Sequence, residues 1–331
     1  MEGYWRDKHV LVTGAGGFIG SHLVERLVQE GARVRAFVRY NSRGDPGLLS
    51  FLGPESFSQI EITAGDLRDR AAVRQAMEGC SHVLHLGALI AIPYSYLHPA
   101  EVVESNVLGT LNVLMAAREA GTERLVHTST SEVYGTARYV PISESHPLQG
   151  QSPYSASKIG ADKLAESFYC SFDVPVVTLR PFNTYGPRQS ARAVIPTIIT
   201  QVLTQGIVSL GNLTALRDLT YVSDTVEGFL CAGSTPDIEG GTFNLGVGRE
   251  VTIGELADEI MSLAGRKVEI QVDASRLRPE KSEVQRLMSD NRLAQEKLGW
   301  LPGVDLREGL SRTIDWISAN LSLYRPSIYQ I

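Results

Sequence analysis

A group of side chains that can exchange protons lies in the middle of the sequence. Thr130, Ser131 and Glu132 follow a short β-branched run, and Tyr154 and Lys158 come after a brief interval. On a helix, Tyr154 and Lys158 would share one face because they are four residues apart. An ammonium beside a phenol favours the phenolate, so we expect Lys158 to lower the pKa of Tyr154 and make it a base. Together these groups indicate redox chemistry coupled to loss of a leaving group.

A glycine-rich segment near the N-terminus indicates a dinucleotide-binding turn. The segment 13–20, TGAGGFIG, follows a β-branched run and opens an amphipathic stretch. Gly14, Gly17 and Gly20 would permit a tight turn and close approach to a pyrophosphate, and a helix N-terminus supplies amide donors to the anion. Such glycines also occur in ordinary strand-to-helix turns, but the position directly after the first strand favours a cofactor.

Other residues are placed to contact the same cofactor. The second predicted strand ends in arginines and polar residues instead of the acidic residue that binds a ribose diol in NAD enzymes, which favours NADP over NAD. Arginine is also common on exposed loops, so NAD stays open. The expected contacts are Phe18, Ile19, Arg39, Asn41, Ser42, Arg43, Asp66, Leu67, Leu86, Ala88, Tyr154 and Lys158.

The elements that position these groups alternate between strands and helices. Strands are predicted at 9–13, 33–38, 59–63, 82–86, 124–128 and 174–179, and helices at 19–30, 70–78, 100–120 and 154–171. This alternation predicts an α/β fold, a Rossmann-like doubly wound parallel sheet with helices on both faces.

The character of the sequence changes after Arg180, where glycines and prolines become frequent. Further helices are predicted at 195–205, 253–264 and 306–318, with strands at 207–210 and 242–245. We therefore expect an NAD(P)-binding domain over 1–180 and a smaller mixed α/β substrate-binding domain, mainly 181–331. The strand at 242–245 is expected to return to the first domain.

Composition limits the class of partner. The chain has 331 residues, a formal net charge of -6 and no stretch that gathers Lys and Arg, which argues against nucleic acid and anionic lipid and favours a small molecule. Its early residues are charged where a secretion signal is apolar, and no apolar run reaches spanning length, so a cytoplasmic protein is expected. We expect no metal site, packing or surface roles for the seven histidines, and reduced packing roles for Cys80, Cys170 and Cys231.

At this point the chain closely resembles the extended short-chain dehydrogenase/reductase family, whose members act on nucleotide sugars. The resemblance covers essentially all residues and rests on the segments 13–20, 106–110 (NVLGT), 154–158 (YSASK), 180–187 (RPFNTYGP), 217–224 (RDLTYVSD) and 278–284 (RPEKSEV). Within the family, 4-epimerases generally lack a carboxylate at the Glu132 position, whereas 4,6-dehydratases and uronic acid decarboxylases carry one. The Thr-Ser-Glu triplet is similar to that of GDP-mannose 4,6-dehydratases, which use NADP.

The segments 147–154 and 188–196 look most like the 4,6-dehydratases of bacterial legionaminic-acid pathways, which act on a nucleotide-linked N-acetylglucosamine. The resemblance implies that Tyr154 removes the 4-hydroxyl proton and that Thr130 binds the developing oxyanion. It implies that Glu132 takes the C5 proton, and that water leaves C6 with help from Glu132 or Ser131.

The resemblance also implies the residues that hold the substrate. A diphosphate needs charge-assisted donors, and the candidate contacts are Tyr94, Glu132, Asn183, Arg188, Arg192, Arg217 and Arg278, with Asn106 as a possible support. Family members usually dimerise through the helices expected here at 100–120 and 154–171, although the apolar faces of these helices could equally belong to the core.

Three other functions remain open from the sequence. A nucleotide-sugar uronic acid decarboxylase shares the Thr-Ser-Glu triplet and the oxidation at C4, and a 4-epimerase shares the oxidation alone. A non-catalytic dinucleotide-binding regulator is the alternative from another class, since this kind of fold is also used for sensing. Intact Tyr154 and Lys158 argue against the regulator.

Overall fold

A computed structural model describes residues 3–324 of the chain. Its strands are β1 His9–Thr13, β2 Arg33–Arg39, β3 Ile60–Gly65, β4 His82–His85, β5 Arg124–Thr128, β6 Val176–Pro181, β7 Asn183–Tyr185, β8 Ile207–Leu210, β9 Leu216–Arg217, β10 Leu219–Tyr221, β11 Thr242–Leu245, β12 Val251–Thr252 and β13 Glu269–Val272.

The helices flank these strands and connect them. They are α1 Phe18–Gln29, α2 Pro54–Ser58, α3 Arg70–Met77, α4 Ile92–Leu97, α5 Pro99–Val103, α6 Gly109–Ala120, α7 Pro153–Phe172, α8 Val194–Thr204, α9 Val222–Ser234, α10 Ile253–Leu263, α11 Arg292–Leu298 and α12 Leu306–Ala319.

Seven strands form one parallel sheet in the order β11-β6-β5-β4-β1-β2-β3. Alternate residues of β1 serve the two faces, since Val10 and Val12 pack in one apolar cluster and Leu11 in another. The first cluster includes residues of α1 and α9, and the second includes residues of α3, α6 and α7. Because both faces are covered, the inner strands are nearly continuous apolar runs, and the predicted fold class is confirmed.

The strand order fixes where a ligand can bind. The chain moves outward from β1 through β2 to β3, then crosses back to place β4 beside β1, with Thr13 and His85 as register partners. In an open parallel sheet, the crevice at such a reversal lies outside the carboxyl ends of the strands. The segments that carry the predicted site all leave the sheet at that edge.

The second half of the chain supplies the other side of this crevice. Three small strand pairs lie outside the main sheet: β7 with β10 and β8 with β13 are parallel, and β9 with β12 is antiparallel. The strand β11 leaves this region and pairs with β6 of the main sheet, with Thr242 opposite Thr178.

Several sequence expectations need correction in detail. The helix expected at 100–120 is interrupted by a π-helical turn, Glu104–Leu108, between α5 and α6. Cys80 and Cys231 are buried as expected, but Cys170 is exposed on α7 and has no packing role. Within residues 3–324, no helix is long and apolar enough to cross a membrane.

Candidate active site

A cleft of about 820 Å³ opens at the carboxyl edge of the main sheet. Its wall is built from the segments that follow β1, β2, β4, β5 and β6, together with Tyr154 of α7 and Arg278. Five segments that follow strands of the main sheet therefore converge on one cavity, as the strand order requires.

The glycine-rich turn forms the floor at one end of the cleft. Gly14 has a φ of +70°, and a Cβ atom on it would lie 2.8 Å from the Gly87 nitrogen. A Cβ atom on Gly20 would lie 2.2 Å from the Gly14 carbonyl oxygen. Both positions therefore require glycine, one for its backbone and one for the close helix packing. The turn brings α1 directly against the end of β1.

The start of α1 is free to bind an anion. Its N-cap residue Gly17 contributes no side-chain hydrogen bond, and its first turn holds no acidic residue. Gly17, Phe18 and Ile19 line the cleft. The Gly17 N–H donates to the Gly14 carbonyl oxygen at 3.0 Å, so the N–H groups of the first helical residues, Phe18 and Ile19, are the ones left for a ligand, and the helix dipole favours a negative charge. These residues fit the pyrophosphate of a dinucleotide cofactor.

The loop after β2 closes the far end of the cleft. Arg39 and Asn41 line it, and the side chain of Arg39 is 65% exposed with a loose contact of 3.5 Å to Glu101. The Asn41 side-chain oxygen accepts hydrogen bonds from the backbone nitrogens of Arg43 and Asp45, at 3.2 and 2.9 Å. Asn41 therefore shapes the loop as well as lining the cleft.

Five expected cofactor contacts lie off the cleft wall: Ser42, Arg43, Asp66, Leu67 and Lys158. Ser42 and Arg43 are exposed on the loop, and Leu67 packs behind Gly87. The Asp66 carboxylate is gripped by the Arg68 guanidinium at 2.7 and 3.0 Å, and this hydrogen bonding lowers the pKa of Asp66. In contrast, Leu86 and Ala88 line the cleft as expected.

The predicted catalytic residues meet at the middle of the cleft. Thr130, Ser131, Glu132 and Tyr154 all line it. The Thr130 hydroxyl accepts a hydrogen bond from the Glu132 nitrogen at 3.2 Å and so caps a short 3-10 turn, Ser131–Tyr134. This cap places the Glu132 side chain, whose residue is only 8% exposed, at the cleft wall.

Helix α7 carries the phenol and the ammonium on one face, as predicted. Ser152 and Ser155 form a reciprocal capping box, and Pro153 occupies the first turn, so the helix begins directly before Tyr154. Lys158 is buried and its Nζ donates a hydrogen bond to the Thr128 carbonyl oxygen at 2.6 Å. Burial lowers the pKa of Lys158 to about 8.

The expected effect of Lys158 on the phenol is not seen. Burial raises the pKa of Tyr154 well above its ordinary value, and a hydrogen bond with Thr130 offsets part of this rise. The physical reason is that the Lys158 ammonium points to the end of β5 and is itself poorly solvated. Thr130, rather than Lys158, is the group that favours the Tyr154 phenolate in this structure.

Charged residues from the second half complete the opposite wall. Arg278 lines the cleft, with its Nη1 at 3.8 Å from the Glu132 carboxylate and 3.9 Å from that of Glu283. Glu283 also accepts a hydrogen bond from Arg217 Nη2 at 3.3 Å. Arg217 thus lies behind the wall and contacts it through Glu283. The sequence reasoning missed Glu283, although it lies in the same 278–284 motif as Arg278.

The remaining expected substrate contacts divide into two groups. Asn183 and Arg192 line the cleft, and the buried Asn183 Oδ1 has no hydrogen-bond partner among the described residues. The Arg188 guanidinium instead pairs with Glu25 of α1 at 2.8 Å, away from the wall. Arg188 thus links α1 to the segment after β7, and its expected substrate contact stays a prediction.

Tyr94 and Asn106 also have other partners. The Tyr94 hydroxyl donates a hydrogen bond to Glu101 at 2.5 Å, and Tyr94 is not among the residues that line the cleft, so its expected substrate contact stays a prediction. Asn106, in the π-helical turn, binds the Leu89 backbone through both its oxygen and its nitrogen, at 2.8 and 2.9 Å. Asn106 therefore supports the cleft-lining loop that follows β4.

The arrangement combines a cradle for a dinucleotide with three groups that handle protons. Tyr154 and Thr130 can take a proton from an alcohol, and Glu132 can act as a base or an acid on a neighbouring carbon or oxygen. Opposite them, Arg278, Arg192 and Asn183 offer donors for an anionic group. Within residues 3–324, no cluster of His, Cys, Asp and Glu is arranged to hold a metal ion.

Several known proteins are similar to this chain in sequence. The profile of the family described as GDP-mannose 4,6 dehydratase matches residues 11–313. A dTDP-glucose 4,6-dehydratase from Streptomyces griseus is 34% identical over 328 residues, which cover 97% of each chain. A UDP-glucose 4-epimerase from Mycolicibacterium smegmatis is 34% identical over 312 residues, which cover 92% of this chain and 97% of that protein.

A solved structure of a nucleotide-sugar enzyme has a similar fold. The dTDP-glucose 4,6-dehydratase from Streptomyces venezuelae, crystallised with NAD bound, superposes with a TM-score of 0.85 at 30% identity and covers 96% of this chain and 99% of its own. The similar proteins thus include both dehydratases and an epimerase.

Proposed function

The chain belongs to the extended short-chain dehydrogenase/reductase family of nucleotide-sugar 4,6-dehydratases and 4-epimerases, and from that premise we propose that it is a 4,6-dehydratase. Its substrate in this proposal is UDP- or GDP-N-acetylglucosamine, and its product is the 4-keto-6-deoxy sugar. One observation carries the choice of reaction: the Glu132 carboxylate lines the cleft within two residues of Thr130. Oxidation at C4 alone needs no such carboxylate, but elimination does.

The first half of the reaction uses Tyr154 and Thr130. When bound, the nicotinamide cofactor accepts a hydride from C4 and later returns it to C6. Tyr154 takes the proton of the 4-hydroxyl, and the Thr130 hydroxyl donates to the oxygen on which negative charge develops. The Lys158 ammonium, held by the Thr128 carbonyl, keeps a positive charge beneath the site and can bind ribose hydroxyls.

The second half uses Glu132. A ketone at C4 makes the C5 proton acidic, and the Glu132 carboxylate removes it. The C6 hydroxyl then leaves as water with a proton, which Glu132 returns directly or through the Ser131 hydroxyl. When hydride returns to C6, C5 takes a proton that reaches it from solvent through Glu132. Ser131 is 2% exposed and lines the same wall. A serine hydroxyl is too weak an acid to deliver this proton alone, so Glu132 serves as base and then as acid.

The substrate diphosphate is assigned to the opposite wall. Arg278 and Arg192 offer guanidinium groups, and Asn183 lies on the same side of the cleft. Arg217 contributes through Glu283, which it holds at 3.3 Å. A planar guanidinium can bind a diphosphate bidentately, so Arg278 is the main expected contact.

Product identity tests the reaction. The purified protein is incubated with UDP- and GDP-N-acetylglucosamine, and the products are analysed by mass spectrometry. Loss of the mass of one water is the expected result. Unchanged mass with inversion at C4 would point to the epimerase, and loss of carbon dioxide from a nucleotide-linked uronic acid would point to the decarboxylase. A Tyr154→Phe variant that kept full biological activity would favour the non-catalytic regulator.

For the cofactor we propose NADP in preference to NAD. The support is Arg39, which lines the cleft and is mostly exposed, so a 2′-phosphate could replace its loose contact with Glu101. Dissociation constants for both cofactors should show tighter binding of NADP, and Arg39→Ala should weaken NADP but not NAD. Arg43→Ala is the matched control, because Arg43 lies off the wall. Equal or tighter binding of NAD by the unmodified protein would reject the preference.

We propose a homodimer formed through the α5–α6 segment and α7. Val103, Leu108, Tyr169 and Phe172 are large apolar residues exposed on these helices. Light scattering should give twice the monomer mass, and Leu108→Glu should shift it toward the monomer. A monomeric unmodified protein would reject the dimer.

A further inference from the structure

A buried carboxylate lies on α7 one turn after Lys158, and the mechanism above does not use it. The Asp162 side chain is 4% exposed. Its Oδ2 accepts hydrogen bonds from Ser129 Oγ at 2.8 Å and from Arg180 Nη2 and Nε at 3.0 and 3.2 Å. Its Oδ1 lies 3.2 Å from His127 Nε2. Both oxygens are therefore fully occupied by three residues of the neighbouring strands.

These contacts hold one end of the catalytic turn. Ser129 directly precedes Thr130, and it lines the cleft while its hydroxyl binds Asp162. The preceding residue, Thr128, is tied to the same helix by Lys158. Two side chains of α7, four residues apart, thus fix the backbone that enters the turn.

The same ion pair holds the other end of the turn. Arg180 Nη1 donates a hydrogen bond to the Tyr134 hydroxyl at 3.0 Å, and this hydroxyl donates to Asn244 Oδ1 at 2.7 Å. Tyr134 is the last residue of the 3-10 turn. Arg180 therefore bridges Asp162 and Tyr134, and the turn that carries Glu132 is fastened on both sides to buried groups.

We propose that Asp162 is a positioning residue for the reaction: through Ser129 and Arg180 it fixes the turn that carries Thr130 and Glu132 against the helix that carries Tyr154. This inference rests on the proposed function. Ser129, His127 and Asp162 are also the residue types of a hydrolase triad, but here the serine donates directly to the aspartate. The serine is therefore not activated by histidine, and nucleophilic catalysis by it does not fit the geometry.

The charge of Asp162 also acts on Lys158. The titratable groups that interact with Lys158 are His85 on β4, His127 on β5 and Asp162 on α7 itself. Burial holds the pKa of both histidines below the usual range, so they are neutral near pH 7. Burial lowers the pKa of Lys158, and the Asp162 charge opposes that fall. Loss of this charge therefore favours neutral Lys158.

The test is Asp162→Asn, which keeps the shape of the side chain and removes its charge. We expect kcat to fall on the order of 10²-fold, as for a catalytic group displaced by about 1 Å, with KM changed less than about threefold. The productive state has a Tyr154 phenolate and a charged Lys158. It therefore holds one proton fewer than the resting state, in which the Tyr154 phenol is neutral. Removing the negative charge of Asp162 makes it easier for the Tyr154–Lys158 pair to lose that proton. In a plot of kcat against pH, the rise on the acid side should therefore move to lower pH, while the maximal kcat falls.

Two further variants separate positioning from folding. Glu239→Gln removes the charge from the partly buried pair between Glu239 and Arg124, which lies at the opposite end of β5, and should leave kcat and its pH profile unchanged. Ser129→Ala removes one contact of Asp162 and leaves the ion pair, so it should fold even where Asp162→Asn does not. It should lower kcat with little change in KM, and thermal unfolding reports the stability of each variant.

The outcomes are distinct. Folded Asp162→Asn with an unmodified kcat and pH profile overturns the positioning role, and if that variant does not fold, an unmodified kcat in Ser129→Ala overturns it. If no water is lost from either N-acetylglucosamine nucleotide, the proposed function fails instead. The positioning role is then tested by the rate at which Asp162→Asn and Ser129→Ala form reduced cofactor with the nucleotide sugar that the protein does oxidise. This test remains valid because the oxidation precedes the elimination.

Discussion

Glu132→Gln is the change that separates oxidation from elimination. The amide keeps the size of the side chain but cannot take the C5 proton, while Tyr154 and Thr130 remain in place. Loss of a general acid–base group costs ~10²–10⁴-fold in rate, which corresponds to about 3–5 kcal/mol of activation free energy. We therefore expect kcat for water loss to fall by that factor, with oxidation at C4 retained.

The loss of the Glu132 charge adds little to this effect. The Glu132 carboxylate lies 3.8 Å from Arg278 Nη1, and the Glu283 carboxylate lies 3.9 Å from the same nitrogen. An ion pair of this kind contributes about 1 kcal/mol or less to stability. A change in folding stability of this size does not account for a 3–5 kcal/mol effect on the elimination, so the two contributions are distinguishable.

The assay is incubation in deuterium oxide followed by mass spectrometry and NMR. The unmodified protein should release product with solvent deuterium at C5 and protium at C6, because C6 receives the hydride from C4, whereas Glu132→Gln should keep protium at C5 and accumulate reduced cofactor. Glu283→Gln is the matched control, because Glu283 shares Arg278 but does not line the cleft. Water loss by Glu132→Gln at the unmodified rate would refute the assignment of Glu132 as the base.

Three other outcomes are expected. Tyr154→Phe should abolish formation of reduced cofactor while the protein stays folded, and a rate within tenfold of the unmodified protein would remove Tyr154 as the base. Gly20→Ala should weaken cofactor binding and destabilise the fold by about 1–3 kcal/mol, because its Cβ would lie 2.2 Å from the Gly14 oxygen; Gly53→Ala, with open space around it, should change neither. Burial lowers the pKa of His82 from 6.5 to about 4, so the unfolded chain binds that proton more readily. The free energy of unfolding should be highest above pH 6.5 and fall by up to about 3 kcal/mol as the pH falls to 4, and denaturant titrations in which His82→Gln shows the same pH dependence would contradict this cause.

The sequence predicted the sheet and the family because both depend on local patterns. Buried parallel strands are short β-branched runs, and the segment 242–245 could be recognised as one although its partner is far away in the chain. The fold class and the family are confirmed, and the cofactor class is supported as NAD(P). The preference for NADP, the substrate and the roles of the site residues stay predictions.

What the sequence could not give is the direction of individual side chains. The helix pattern placed Lys158 on the same face as Tyr154, but the Lys158 ammonium binds the Thr128 carbonyl. The arginine motif indicated Arg188, whose guanidinium turns to Glu25. From the sequence, Asp162 is an acidic residue one helical turn after Lys158. Its proposed role depends on hydrogen bonds from Arg180 and Ser129, and only the tertiary structure brings these two residues to Asp162.

The position of β11 bears on how the protein is made by the ribosome. Val176, Thr178 and Phe182 form hydrogen bonds with Gly240, Gly241 and Leu245, at 2.7, 2.9 and 2.8 Å. Until residues 240–245 have been translated, the outer edge of β6 has unpaired N–H and C=O groups, and such an edge can pair with another nascent chain. A fragment that stops near residue 180 would keep that open edge permanently. The strand that closes the sheet is thus synthesised after Glu132 and Tyr154, so this edge of the sheet is completed only once the second half of the chain has been translated.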